Sequence, residues 1–271
     1  MQDGFFTGVA AVINALFLGA GIYIYLALVR QIVSRDAPEG EPTERSFELP
    51  EAILAIVLGA LFVMNAAAAP QQNERMLLRT NDLILNAIVS LALFIFIAAF
   101  LTLRRRSVSL LAGFRRLPFW RSLTTALVLL FAAYPLIFLA DLATQHVLHI
   151  PSSRQSIIEL FSGSNTLRQR VIVIILAVAI APLVEEFVFR FFLYGVLRRY
   201  VGRFVGTISN AALFAAVHAH VPSAAPLFVL GACFTIAYEW SGSIIVTMTM
   251  HALFNSLTLV ALAFPDQFPQ Q

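Results

Sequence analysis

The chain has 271 residues, of which 59% are hydrophobic and only 12% charged, and its mean hydropathy is +0.84. Soluble domains carry roughly 25% charged residues, so this chain cannot clothe a water-soluble globule and must use lipid as one of its solvents. A net charge of +3 and a pI near 9.4 do not call for nucleic acid, because the basic residues fall where a membrane protein's cytoplasmic loops place them.

Apolar runs of bilayer length, about 20 residues at 1.5 Å each, predict helices at 5–29, 51–69, 83–103, 122–141, 171–197, 204–220, 224–239 and 243–264. The runs are continuous rather than alternating, which favours helix over strand. The expected fold is therefore all-α: a polytopic integral membrane protein of about eight transmembrane helices, with a polar-cored C-terminal helical bundle. No positive residue precedes the first run, which is also too long for the apolar region of a signal peptide, so it reads as a span. The segment 31–50 has Pro, Gly and mixed charge and reads as a solvated loop. A second linker at 142–170 contains SIIELF, which reads either as a short interfacial piece or as plain connection. The lone Cys233, in the seventh helix, reads as a small apolar filler.

All 18 basic residues are Arg. Arg104, Arg105, Arg106, Arg115, Arg116 and Arg121 fill the connection between the third and fourth helices, which makes that loop cytoplasmic. Alternation then places Arg30, Arg35, Arg45, Arg198, Arg199 and Arg203 on the same side, and both termini on the other. The expected location is a bacterial inner membrane, crossed several times.

Up to residue 170 the helix interiors hold almost nothing ionisable. From 171 onward Glu185, Glu186, Arg190, His218, His220 and His251 all lie within predicted spans. A charge at mid-bilayer costs about 2.5–3.5 kcal/mol on insertion scales, so six such residues argue for chemistry. The chain divides accordingly into N-terminal helices and loops, 1–170, and a polar-cored part, 171–264.

Pro182 precedes Glu185 and Glu186 and has no N–H for the helix ladder, so a kink before the carboxylates is expected. Glu186 and Arg190 are four residues apart on one face and can pair, leaving Glu185 about 100° away and free to act as a base; the blander reading is a structural ion pair with a bystander Glu185. His218 reads as a functional imidazole or as a hydrogen-bonded packing residue, and His220 as a residue at a wet helix end. His251 and Asn255 share a helix face and could present two donors to a developing oxyanion, or serve as interhelical glue. Counted from the cytoplasmic helix ends at 1.5 Å per residue, Glu186 lies about 18 Å, His218 about 22 Å and Asn255 about 20 Å deep. That common level points to one shared site. Glu239, near the cytoplasmic end of the seventh helix, reads as solvated.

No HExxH, GxSxG, Walker or dinucleotide glycine pattern is present. The ordered set EExxxR (Glu185, Glu186, Arg190), FxxxH (Phe214, His218) and HxxxN (His251, Asn255) resembles the CPBP family, the CAAX-prenyl endopeptidases and bacteriocin-processing, Abi-type, membrane proteases. The resemblance covers about 171–262. It implies an all-helical core around a hydrophilic cavity in which peptide hydrolysis takes place. Glu185 would activate water, His218 would assist, His251 and Asn255 would form the oxyanion site, and Glu186 and Arg190 would position the others. No cofactor is required by the spacing, although two carboxylates and two imidazoles leave a divalent metal such as zinc open. The implied partners are a peptide or protein substrate, lipid-modified in some relatives, and membrane lipids. Two other classes compete: a non-catalytic scaffold with the same fold, and an ion-coupled transporter, which the confinement of polar residues to one half disfavours.

Overall fold

The computed structural model describes residues 2–35, 47–68, 80–148 and 166–264, and among them every regular element is helical. In chain order these are α1 (Gln2–Ser34), α2 (Leu49–Ala68), α3 (Thr80–Leu103), the one-turn α4 (Val108–Leu111) and α5 (Phe119–Leu148). They are followed by α6 (Leu167–Val217), a 3₁₀ turn (Val221–Ser223), α7 (Ala224–Ser241) and α8 (Ile244–Ala263). Seven of these are long and apolar enough to cross a membrane. The all-α polytopic expectation holds. SIIELF and Arg45 lie outside the described residues.

The expected eight spans become seven because two of them are fused in α6. A straight helix of that length would reach about 76 Å, more than twice the roughly 30 Å hydrocarbon core. It does not run straight. Gly202 breaks it at φ 79°, ψ 172°, and an added Cβ on Gly206 would sit 3.2 Å from the Arg198 nitrogen. The chain therefore doubles back, giving a first arm (167–201) and a returning arm (203–217).

The returning arm packs between α2 and α7, α5 lies against α1, α7 and α8, and α8 meets the first arm. One apolar core runs through them, from Tyr25 and Leu28 on α1 to Phe187, Phe191, Phe214, Phe234 and Met250. Helices in lipid lack a hydrophobic drive to associate, so close approach and buried hydrogen bonds must supply it. Gly21 does the first, lying against the Ala132 carbonyl and Pro135 of α5. The Tyr25 hydroxyl does the second, donating to the Leu129 carbonyl at 3.0 Å.

The Arg-rich end is tied by polar contacts. Glu51 accepts from the Glu48 N–H at 2.9 Å, a capping arrangement at the start of α2, and from Arg104 at 3.2 Å. Glu48 pairs with Arg104 at 2.8 Å and Arg106 at 2.7 Å, which ties the start of α2 to the end of α3. The α4–α5 turn meets the α7–α8 turn through Ile244 N–H donating to the Ala112 carbonyl at 3.1 Å. Gly113, at φ 71°, sits there with its Cα against the Gly242 carbonyl.

Two substitutions test these turns. Gly202→Ala introduces a side chain where the backbone occupies a glycine region, at an expected cost of about 1–3 kcal/mol. Gly113→Ala adds a clash with the Gly242 carbonyl to the same backbone strain, so its thermal midpoint in detergent should fall further than that of Gly202→Ala. Equal midpoints for wild type and both variants would refute this account of the turns.

Candidate functional site

The site begins with the hydrogen-bond register of the first arm of α6. The Thr166 side chain caps its N-terminus by accepting from the Gln169 N–H at 3.2 Å. Ordinary α-helix at Leu167–Ile175 widens to π-helix at Leu176–Ile180, returns at Ala181–Glu186, and widens again at Phe187–Leu193. Such wide turns occur mostly where function demands a local change of register. Here Pro182 has a direct effect. The Ala181 N–H bonds to the Leu176 carbonyl, five residues back. The next donor in that register would be Pro182, which has no N–H. The Ala177 carbonyl is thus left without a helical partner, and Asn255 of α8 supplies one: its Nδ2–H donates to Ala177 O at 2.7 Å.

Behind the site lies a dry charged cluster. Glu186, Arg190 and His251 are buried. Arg190 Nε is 3.2 Å from Glu186 Oε2, an ion pair in contact whose alignment falls short of a hydrogen bond. The His251 Nδ1–H donates to Glu186 Oε1 at 2.9 Å. The Arg190 guanidinium stands 4.1 Å from the Phe214 ring centre and 5.2 Å from that of Phe234. A cation over a desolvated ring gains up to about 2 kcal/mol, which partly compensates guanidinium nitrogens that find no hydrogen-bond acceptor among the described residues. Aromatic faces and one carboxylate together hold a cation where lipid would reject it.

Glu185 faces the opposite way. Among the described residues its Oε2 has no hydrogen-bond partner, and it stands 3.9 Å from His218 Nε2 and 4.0 Å from His251 Nε2. The His218 Nδ1 lies 2.7 Å from the Phe214 carbonyl. A carbonyl only accepts, so Nδ1 carries the hydrogen. A carboxylate fixes His251 Nδ1 in the same sense. Both imidazoles are therefore anchored through Nδ1 and present Nε2 toward one carboxylate oxygen. These gaps are too long for direct hydrogen bonds and suit a shared water molecule.

These groups line a cavity of about 310 Å³ together with Asn255, His220 and apolar side chains including Leu227, Leu230 and Phe254. Of the six expected residues, Glu185, His218, His251 and Asn255 form its wall, while Glu186 and Arg190 stand behind it. Asn255 does not aim both amide hydrogens at the site, since one is committed to Ala177. His220 also lines the cavity, its Nδ1 2.8 Å from Ser223 Oγ.

Glu239 is not solvated. It pairs with Arg198 at 3.1 Å and Arg203 at 3.0 Å and accepts from the Tyr194 hydroxyl at 3.0 Å, with its side chain 7% exposed. The reversal at Gly202 brings those arginines over it, which its position at a helix end did not reveal. Phe234 escaped notice entirely, because nothing separates one Phe from another on an apolar helix.

A tetrahedral zinc with ligands at about 2.0–2.1 Å would draw its donor atoms to within about 3.4 Å of each other. The Glu185–imidazole gaps are wider, and among the described residues no three His, Cys, Asp or Glu side chains gather as a ligand set. The arrangement does not fit the metal.

The role of Asn255 can be checked with a double-mutant cycle. Asn255→Ala should destabilise the protein by about 1–3 kcal/mol, the cost of a buried carbonyl left unsatisfied. In a Pro182→Ala background the loss should shrink, since the restored N–H can take over the carbonyl. Strict additivity of the two substitutions, measured by reversible unfolding in mixed micelles, would contradict the link.

No curated protein and no solved structure matches the chain. One family model does: Rce1-like, the type II CAAX prenyl endopeptidases, over residues 167–257. The matched third of the chain contains both arms of α6, α7 and most of α8, and with them every residue of the cavity wall named above. The match supports a CPBP-family intramembrane protease.

Proposed function

We propose that the chain hydrolyses a peptide bond of a membrane-associated substrate using water activated by Glu185. One observation carries this reading: two Nδ1-anchored imidazoles converge on the unpartnered oxygen of Glu185 within a cavity. A water between them gives one hydrogen to Glu185 Oε2 and the other to an imidazole Nε2, leaving a lone pair for the scissile carbonyl. As the C–O bond forms, Glu185 takes the proton. It then delivers that proton to the departing amine nitrogen as the C–N bond breaks, so the carboxylate ends as it began. The second Nδ2–H of Asn255 is a donor available to the carbonyl oxygen as it gains charge. Glu186 orients His251, and Arg190 holds Glu186.

The description of the matched family as CAAX prenyl endopeptidases favours a lipid-modified C-terminal peptide as substrate. A prenyl chain dissolved among the helices would present its peptide to a cavity of this kind already concentrated at the membrane.

Purified protein in liposomes, given lipidated and unlipidated peptides with and without chelator, tests the reading. Glu185→Gln should lower kcat by about 10²–10⁴-fold with little change in thermal midpoint, because the buried Glu185 oxygen makes no hydrogen bond among the described residues. Glu186→Gln should instead cost about 3–5 kcal/mol of stability by stranding the buried Arg190. Cleavage by Glu185→Gln at the wild-type rate would sink the assignment, and loss of wild-type cleavage with chelator would overturn its metal-free form.

A further inference from the structure

A second cavity, about 1610 Å³, opens at the other end of the bundle, where the end of α1, the α3–α5 connection, the α6 reversal and the α7–α8 turn meet. This is the end that the arginine distribution assigns to the cytoplasm. Among the described residues seven arginines line it against a single carboxylate, Glu239. That carboxylate is already engaged by Arg198, Arg203 and Tyr194. Arg35 is engaged too, donating to the Trp240 carbonyl at 2.8 Å, and Arg116 lies against Gly242. Arg115, Arg121 and Arg199 remain, with no ion pair among the described residues.

The preference for basic residues on the cytoplasmic side accounts for arginines at this end. It does not account for their surrounding one space, since like charges repel and would spread over the surface if nothing drew them together. The cavity's other walls say what could do so. The hydroxyls of Ser107 and Ser109 line it as further donors, and so does Leu110, which is 54% exposed. Beside Arg121, Phe119 and Trp120 open α5 with 65% and 72% of their surfaces exposed, as aromatic side chains do at the edge of a bilayer. Donors for an anion therefore adjoin a greasy rim at the height of lipid headgroups.

We propose that this cavity binds the phosphate of an anionic phospholipid of the cytoplasmic leaflet. Arg115 and Arg121 hold the phosphate oxygens through their planar guanidinium forks, and the acyl chains descend past Phe119 and Trp120. A free phosphate would satisfy the arginines but would make no use of the apolar rim. An acidic peptide would match the charge but has no reason to sit where α5 enters the membrane. The site is independent of the hydrolytic cavity and of the reading given to it.

Native mass spectrometry of the full chain, released from micelles holding equal amounts of phosphatidylglycerol and phosphatidylcholine, tests the proposal. Wild type should retain phosphatidylglycerol preferentially. Arg115→Gln with Arg121→Gln should weaken that preference by about tenfold or more, on the scale of two basic residues near a charged leaflet. Arg105→Gln, outside the cavity, should leave it intact. Folding of the double variant is read from an unchanged thermal midpoint in phosphatidylcholine, which is expected because both side chains are exposed. Absence of any preference in wild type, or an undiminished preference in the folded double variant, overturns the proposal. So does stabilisation by inorganic phosphate without retention of phosphatidylglycerol, which would assign the site to a free anion.

Discussion

A guanidinium inside a membrane must be neutralised, desolvated and held, and the rest of the C-terminal bundle follows from how Arg190 is treated. Its counter-ion comes from one turn earlier on the same helix, so the pair forms without any tertiary contact. Everything else is tertiary. The returning arm of α6 lays Phe214 against the cation, α7 adds Phe234, and α8 brings His251 to the far oxygen of Glu186. Three helices thus converge on one buried charge. A buried ion pair is weak evidence of net stability; here the aromatic faces and the imidazole that make it tolerable come from three different helical segments. The imidazole that completes the cluster is the same one that turns its second nitrogen to Glu185, so the buried pair and the cavity share one side chain.

Much of this was legible in the sequence because lipid makes polar residues conspicuous. In a soluble domain Glu185, His218 and His251 would be three among dozens of polar side chains. In helices that otherwise admit only apolar ones they stand out, and helical rise alone puts them at one depth. The polytopic helical architecture, the arginine-rich end and the ion pair of Glu186 with Arg190 were readable for similar reasons, although the eight expected spans appear as seven helices because two are fused in α6. What depends on backbone register was not. Pro182 announced a kink, but no count of residues says that the disturbed register strands the Ala177 carbonyl, or that Asn255 answers it. Glu239 shows the same limit from the other side: its neighbours in sequence imply water, while its neighbours in space are arginines carried over it by the turn at Gly202.

The two ends of the bundle differ in kind. The cavity beside Glu185 is small, and the groups left open in it are one Glu185 oxygen, the two imidazole Nε2 atoms that face it and one amide hydrogen of Asn255. The arginine-lined cavity has about five times that volume and, among the described residues, an excess of positive charge. A protein of this composition has few charged residues to distribute. Placing so many of one sign around a common space gives the two ends of the bundle opposite electrostatic characters.

The reversal of α6 also bears on how such a molecule could be assembled. Glu185 and His218 belong to two arms of one continuous helical hairpin, so the first of the site's contacts closes over a short stretch of chain. An apolar hairpin can leave the insertion machinery as a unit, with Phe214 of one arm already lying on Arg190 of the other. The cation is then screened by its own hairpin before α7 and α8 have been made, and the later helices find a partly formed site to dock on. Membrane insertion and assembly of the site become steps of one process, with the most expensive side chain protected first.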